Sequence, residues 1–315
     1  MSITKKALIA AIAVALVSPV GISTAEAAPK NQARAVAQPD WLEANLDNPK
    51  VRIIEVSTEP GVYERGHIKN AIKFVWHTDL VDTVNRDIIS AKNFSKLAQK
   101  AGISDDTTVV LYGDKNNWFA AWGAWIFNIY GQKDVRVLDG GRVKWEKDGR
   151  ALTTAVPSFA AGNFTATKAD KSLRATLIND VLPVAKKRAK ADLIDIRGAD
   201  EYNGKIFAAP GFQELAVRAG HIPGAINVPW GQNVNADGTF KTVAELRKLY
   251  ADKGVDGKQQ IITYCRIGER SSLTWFVLSE ILGYNVKNYD GSWTEYGNSV
   301  GVPIVNNAGT IWGAA

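Results

Sequence analysis

Short strand-like runs punctuate the chain, and in its second half they fall at residues 193–196 (Leu-Ile-Asp-Ile), 261–264 (Ile-Ile-Thr-Tyr) and 286–289 (Val-Lys-Asn-Tyr). Between them lie longer segments in which apolar residues recur three and four apart. One covers 243–251; another covers 271–282, where Leu273, Phe276, Val277 and Ile281 share a face. Strands alternating with amphipathic helices predict an α/β fold, with a mostly parallel sheet in each domain flanked by helices on both faces. In such sheets functional side chains gather beyond the carboxyl ends of the strands. Cys265 and Arg197 stand at those positions, just past the runs 261–264 and 193–196.

The pattern occurs twice. Gly66-His67-Ile68-Lys69-Asn70-Ala71-Ile72 returns as Gly220-His221-Ile222-Pro223-Gly224-Ala225-Ile226, an offset of 154 residues. Val109-Val110-Leu111-Tyr112 returns as Ile261-Ile262-Thr263-Tyr264 at 152, and Asp139-Gly140-Gly141 as Asp290-Gly291-Ser292 at 151. Collinear matches with so little drift predict a duplicated domain, the first copy over 38–150 and the second over 172–298. Residues 151–171, rich in Ala, Thr and Gly, read as a linker. Residues 299–315 form a small, apolar tail expected to pack over the first domain. His67 and His221 occupy the same point of the repeated turn, so a turn hydrogen bond is expected of both rather than catalysis.

The N-terminus sets the expected compartment. Lys5 and Lys6 precede an apolar stretch over 7–17 that is too short to span a bilayer stably, and Ala25-Glu26-Ala27 has the small-x-small form of a cleavage site. Residues 1–27 are therefore expected to be an export signal whose removal leaves a periplasmic or secreted protein with no membrane attachment. Cleavage lowers the formal net charge from +6 to +5, a mild balance that suits a small anionic substrate. The charges are scattered, without the basic stripe of a nucleic-acid binder, so no nucleic-acid partner is expected. Cys265 is the only cysteine. An exported chain with one thiol has no internal disulfide, and the thiol calls for a function. One Cys with His67, His77 and His221 scattered offers no metal-ligand spacing, so neither metal nor other cofactor is expected.

Cys265 is followed by Arg266-Ile267-Gly268-Glu269-Arg270-Ser271, after which helical spacing begins. A sulfur at a helix mouth faces unpaired N–H groups and the positive end of the dipole, so a lowered thiol pKa and a nucleophilic thiolate are expected. Backbone amides from 266 to 270 should form an anion nest, Gly268 should supply the tight turn, and Arg270 should offer a two-pronged contact to an oxyanion. Arg266 has two readings, a second anion contact or the ion-pair partner of Asp195. Arg197 is expected to pair within its domain. Glu269 is expected to be a salt-bridge partner or rim charge rather than a base. At the 152-residue offset Cys265 faces Gly113, so only the second copy can carry thiol chemistry. Trp118 and Phe119, in the first copy's counterpart of this loop, and Trp230 are candidate linings of an interdomain cleft. Trp122, Trp125 and Trp275 lie inside amphipathic helices and read as core.

Together these segments resemble the tandem rhodanese sulfurtransferases over nearly the whole chain beyond the export signal. The matching elements are Asp195-Ile196-Arg197 with Glu201-Tyr202, the turn Gly220 to Ala225, the loop Cys265 to Arg270, and Asp290-Gly291-Ser292-Trp293. The resemblance implies that Cys265 takes the outer sulfur of thiosulfate as a persulfide, releases sulfite, and hands the sulfur to cyanide or a thiol in ping-pong fashion without a cofactor. It implies substrate contacts from Arg266, Ile267, Gly268, Glu269 and Arg270, supported by Asp195, Arg197 and Ser271. The loop looks like Cys-Arg-x-Gly-x-Arg of the thiosulfate-using branch, whereas the mercaptopyruvate-using branch carries Cys-Gly-Ser-Gly-Val-Thr. Two positions that bind the anion in some animal members are Ile267 and Glu201 here, which leaves Arg266, Arg270 and the loop amides. Two alternatives keep the thiol: a 3-mercaptopyruvate sulfurtransferase, and a persulfide carrier serving a protein partner. A cysteine phosphatase on a similar fold needs Cys-x5-Arg, and Cys265 to Arg270 is one residue short of it.

Overall fold

The computed structural model describes residues 32–213 and 215–313. The expected export signal, residues 1–27, lies outside them. In chain order the described strands are β1 (Val36–Ala37), β2 (Val51–Glu55), β3 (Ala71–Lys73), β4 (Val81–Asp82), β5 (Asp87–Ile88), β6 (Thr108–Tyr112), β7 (Asp134–Leu138), β8 (Asp192–Asp195), β9 (Ile226–Asn227), β10 (Ile261–Tyr264) and β11 (Val286–Asn288). The first repeat builds a sheet in the order β1-β7-β6-β2-β3, and the second a sheet in the order β11-β10-β8-β9. Every pairing in these two sheets is parallel, with Ile53 opposite Val110 in the first and Ile262 opposite Leu193 in the second. β4 and β5 make a separate antiparallel hairpin. The central strands are buried along their length, which is why their sequences run apolar instead of alternating. Both repeats are therefore the α/β units that the sequence pattern predicts, flanked by helices.

The helix expected over 271–282 begins earlier, at Glu269, and its α-helical part ends at Phe276, where a π-helical turn, Val277–Ile281, takes over. The early start follows from Gly268, whose φ of +100° lets the chain reverse directly into the helix. Every residue of Glu269–Phe276 is buried although five of the eight are polar. One side packs on its own sheet, and the other packs on the helix Trp118–Ile129 of the first repeat. That partner is apolar nearly all round, as a helix enclosed on all sides requires. Ser272 Oγ crosses the interface to the Trp118 carbonyl at 3.1 Å. A single apolar cluster joins Ile54, Leu111 and Trp125 of the first repeat to Ile194, Cys265 and Leu273 of the second.

Residues 154–170 carry no helix or strand, yet they lie against the first repeat, with Phe164 buried and its amide bonded to the Ile103 carbonyl at 3.1 Å. The tail is a correction to the sequence reading. It packs on the second domain instead of the first: Val305 pairs antiparallel with His221, and the Ala308 amide bonds to the Asn203 carbonyl at 3.0 Å. The cause lies in the duplication, since Thr153 pairs with His67 in the same way. Each copy is strapped by the chain that leaves it.

Both turn histidines hydrogen-bond as the repeat suggests. His67 Nδ1 lies 3.0 Å from the Tyr63 carbonyl and His221 Nδ1 lies 2.7 Å from that of Tyr202, with each imidazole stacked on the same tyrosine.

Candidate active site

β10 ends at Tyr264, and the loop Cys265 to Gly268 leads into the helix Glu269–Phe276. The loop is fixed from two directions. The Gly268 amide donates to Cys265 Sγ at 3.1 Å. On the other side the N-terminal turn of the helix Ser292–Asn298 presents its amides to the loop: Trp293 N bonds to the Cys265 carbonyl at 3.0 Å and Thr294 N to that of Arg266 at 2.9 Å. Cys265 N in turn donates to Ser292 Oγ at 3.1 Å. A side chain at 268 has no room, because a Cβ there would lie 2.7 Å from the Asp290 Cα and 2.8 Å from the Trp122 ring.

Cys265 is 0% exposed, and its thiol contacts Glu269 Oε2 at 3.4 Å. This corrects the expectation of a lowered pKa. Burial pushes the thiol up, the Glu269 charge pushes it further, and Arg270 with the amides of Ser271 and Gly268 only partly oppose them. These surroundings favour the protonated sulfur over the thiolate. Of the two readings of Glu269 the structure bears out the salt-bridge partner, with Arg270 Nε 3.8 Å from its Oε1, and not the rim charge, because the side chain is buried against the sulfur.

Arg270 does not point at an open anion site. Its Nη1 and Nη2 lie 3.3 and 3.4 Å from the two carboxylate oxygens of Glu201. Arg266 is not the partner of Asp195 either. Asp195 is taken by Arg197, Nε to Oδ1 at 3.0 Å and Nη2 to Oδ2 at 2.6 Å, and Arg197 also donates to the Gly220 carbonyl at 2.7 Å. Arg197, fully enclosed, lies over the Trp293 ring. Arg266 instead turns outward, donating Nη1 to the Gln213 carbonyl at 2.9 Å with its guanidinium carbon 5.1 Å from the Phe212 ring centre. Ser271 is buried below the loop, its hydroxyl 2.7 Å from Asn288 Oδ1.

The cleft aromatics divide. Trp118 and Trp230 meet edge to face across the domain interface at 4.8 Å, and Trp118 also approaches Phe212 at 6.5 Å. Phe119 lies elsewhere, against Trp76 at 5.2 Å. Trp122, read as core, also lines a cavity of about 290 Å³ with Trp76, His77, Arg86, Asp290 and Ile267. Ile267 is the loop residue that reaches this space. The indole N–H groups of Trp76 and Trp122 have no hydrogen-bond partner.

The roles of three residues were not legible in the sequence. Ser292, held at φ +52°, supports the loop from within the Asp-Gly-Ser-Trp segment. Glu201 neutralises Arg270. Phe212 lies over both loop arginines, its ring centre 5.5 Å from the Arg270 guanidinium carbon. A signal for Phe212 existed in the repeat: Tyr63 precedes His67 by 4 residues, but Tyr202 precedes His221 by 19. The copy that bears the cysteine thus carries 15 additional residues, and Phe212 is among them.

Comparison with known proteins agrees with this geometry. The family model for the rhodanese-like domain matches twice, over residues 38–148 and 181–299. The chain belongs to the rhodanese family of sulfurtransferases, with two domains in tandem. It is 52% identical over 267 residues to a Mycolicibacterium smegmatis protein named "Putative thiosulfate sulfurtransferase", covering 84% of this chain and 95% of that one. It is also 52% identical over 269 residues to the "Sulfur carrier protein TtuD" of Thermus thermophilus, covering 84% and 94%. Among solved structures it is similar to SseA of Escherichia coli, described as a 3-mercaptopyruvate sulfotransferase, with a TM-score of 0.69 and 27% identity over 82% of this chain and 98% of that one.

Proposed function

We propose that this protein moves the sulfane sulfur of thiosulfate to a thiophilic acceptor, cyanide or a thiol, through a persulfide on Cys265. The observation that carries the reading is the setting of the sulfur, which accepts the Gly268 amide at 3.1 Å at a helix mouth beside Arg270. In the first half-reaction the sulfur attacks the outer sulfur of thiosulfate, the donor's S–S bond breaks, and sulfite leaves with the electron pair. In the second, the acceptor attacks the outer sulfur and the Cys265 sulfur takes back the electron pair of the S–S bond. The first product departs before the acceptor arrives, so the kinetics are ping-pong.

Three features support it. The amides of Gly268 and Ser271 favour negative charge on sulfur. Enclosure keeps water from the persulfide. Arg266, whose Nε is buried without a partner, is the guanidinium left for the donor's sulfonate, because Arg270 is engaged by Glu201. Intact mass is the test. Incubation with thiosulfate should add about 32 Da, lost on adding cyanide and absent in Cys265→Ala; an unchanged wild-type mass would sink the reading.

The 52% identity to a protein named as a sulfur carrier favours a second reading, in which the persulfide passes to a partner protein. It predicts poor turnover with cyanide and small thiols beside efficient transfer to a protein acceptor. Turnover on thiosulfate and mercaptopyruvate at matched concentration separates the two donors. We also propose export with cleavage before Ala28, on the pattern of residues 1–27, tested by N-terminal sequencing of protein recovered from the periplasm.

A further inference from the structure

We infer that Glu269 is the proton acceptor for Cys265, so that sulfur loading starts from a hydrogen-bonded thiol–carboxylate pair instead of a free thiolate. The inference rests on the persulfide reading above and adds the residue that ionises the nucleophile. Glu269 Oε2 lies 3.4 Å from Sγ, and both side chains are buried. The left-handed turn at Gly268 brings the first helical side chain back over the sulfur four residues earlier.

The surrounding charges make the pair necessary. From its own helix the sulfur faces Glu269, Arg270 and the Ser271 amide; from the loop it faces the Gly268 amide. From the segment after β11 it faces Ser292 Oγ at 4.0 Å. Behind Arg270, from the short helix after β8, stands Glu201. Losing the thiol proton to bulk water would leave a buried thiolate and two carboxylates around a single guanidinium. Passing that proton to Glu269 leaves the net charge of the site unchanged.

The step balances. The S–H bond breaks and an O–H bond forms at Glu269 Oε2; the sulfur attacks thiosulfate; the donor's S–S bond breaks, and the sulfite that departs with its electron pair takes the proton from Glu269. The raised thiol pKa agrees with this order, since the proton must be carried away within the site. The first domain supplies a control. At the 152-residue offset Cys265 faces Gly113 and Glu269 faces Asn117, whose Oδ1 merely accepts the Gly113 amide at 3.0 Å. Where there is no thiol to ionise, the position holds an amide.

The experiment is single-turnover loading of Glu269→Gln with thiosulfate, followed by mass across pH, beside the wild type and Glu269→Asp. In Glu269→Gln, loading at neutral pH should fall by about 10²-fold and then climb about tenfold per pH unit, because only the rare thiolate reacts. The wild type should be nearly flat over that range. Glu269→Asp should be slower but equally flat, which keeps the test valid if Glu269→Gln does not fold; a steep profile in Glu269→Asp would count against the proposal. Faster loading in Glu269→Gln would show that Glu269 only suppresses the thiolate by its charge, and would overturn the inference. So would a rate that falls in step with melting temperature while the pH profile keeps its shape. A wild type that never gains sulfur removes the persulfide reading and this inference with it; a wild type that loads while Glu269→Gln loads equally well removes this inference alone.

Discussion

Arg270 and Glu201 form a buried ion pair, with two nitrogens of one facing two oxygens of the other at 3.3 and 3.4 Å. Glu201 Oε2 also accepts the Gly198 amide at 3.2 Å. The arginine that loop spacing assigns to the donor's oxyanion thus ties the cysteine loop to the segment that follows β8. Its second carboxylate neighbour is Glu269, so a single guanidinium holds together two acids beside the sulfur.

Arg270→Ala is therefore expected to damage the fold before it damages donor affinity. Removing the cation leaves Glu201 and Glu269 buried without a counter-charge, which costs about 3–5 kcal/mol for a pair so enclosed. Replacing both partners, with Arg270→Met and Glu201→Gln together, should cost less than the sum of the single changes, because the Glu201 charge leaves with its partner and only Glu269 loses a counter-charge. Thermal melts of the three variants decide it, and additive losses would show that the pair is not coupled.

Thiol reactivity gives a sign that is easy to check. Burial and Glu269 raise the Cys265 pKa, so at neutral pH less thiolate is present than in a free cysteine. Alkylation by iodoacetamide follows the thiolate, and its rate should keep rising beyond the ordinary thiol midpoint of about 8.5. In urea the same residue should level off at that ordinary midpoint. Linkage carries the same sign: the folded state holds the proton more tightly, so this group's contribution is complete below the unfolded midpoint and is lost as pH rises toward the folded one. A folded-state midpoint below that of the unfolded chain would refute the assignment.

Gly268→Ala should abolish sulfur loading and also cost stability. A Cβ would press on the Asp290 backbone and on the Trp122 ring, at a φ that L residues rarely adopt. The φ strain alone costs about 1–3 kcal/mol, and the contact with the Asp290 backbone adds to it. The loop would open, and the Gly268 amide would leave the sulfur. Loading measured by mass, beside the melting temperature, separates loss of the nest from loss of the fold; a fully loaded Gly268→Ala would show that the nest is dispensable.

Much of this was legible in the sequence, for identifiable reasons. Parallel strands buried on both faces announce themselves as apolar runs, and the duplication locates equivalent strand ends, so the position of Cys265 follows from local pattern alone. The partners of the loop do not. Glu201 lies 69 residues from Arg270, and the two meet only because β8 and β10 are neighbours in the sheet. The sign of the thiol shift is equally hidden. The helix mouth and its amides can be read from spacing, whereas the depth of burial and the fold of Glu269 over the sulfur depend on packing against the first domain. The extra residues between Tyr202 and His221 were visible in the repeat as a change of offset from 139 to 154.

That extra segment leads to the last prediction. Phe212 lies over the guanidinium groups of Arg266 and Arg270, and the Gln213 carbonyl accepts from Arg266 at 2.9 Å, so the segment closes the loop from the solvent side. Its return arm is anchored where Arg218 donates to the carbonyls of Tyr296, Gly297, Ser299 and Val302. Phe212 is itself 38% exposed, so Phe212→Ala removes two cation–π contacts worth about 0.5–1 kcal/mol each at such a site and little core packing. The melting temperature should fall by no more than a few degrees. Iodoacetamide should reach Cys265 several-fold faster, and the thiosulfate-loaded protein should lose its extra sulfur sooner to a thiol in solution. If alkylation is unchanged while the melting temperature drops, the ring is a strut, and the sulfur is reached from the cavity beside Ile267 instead.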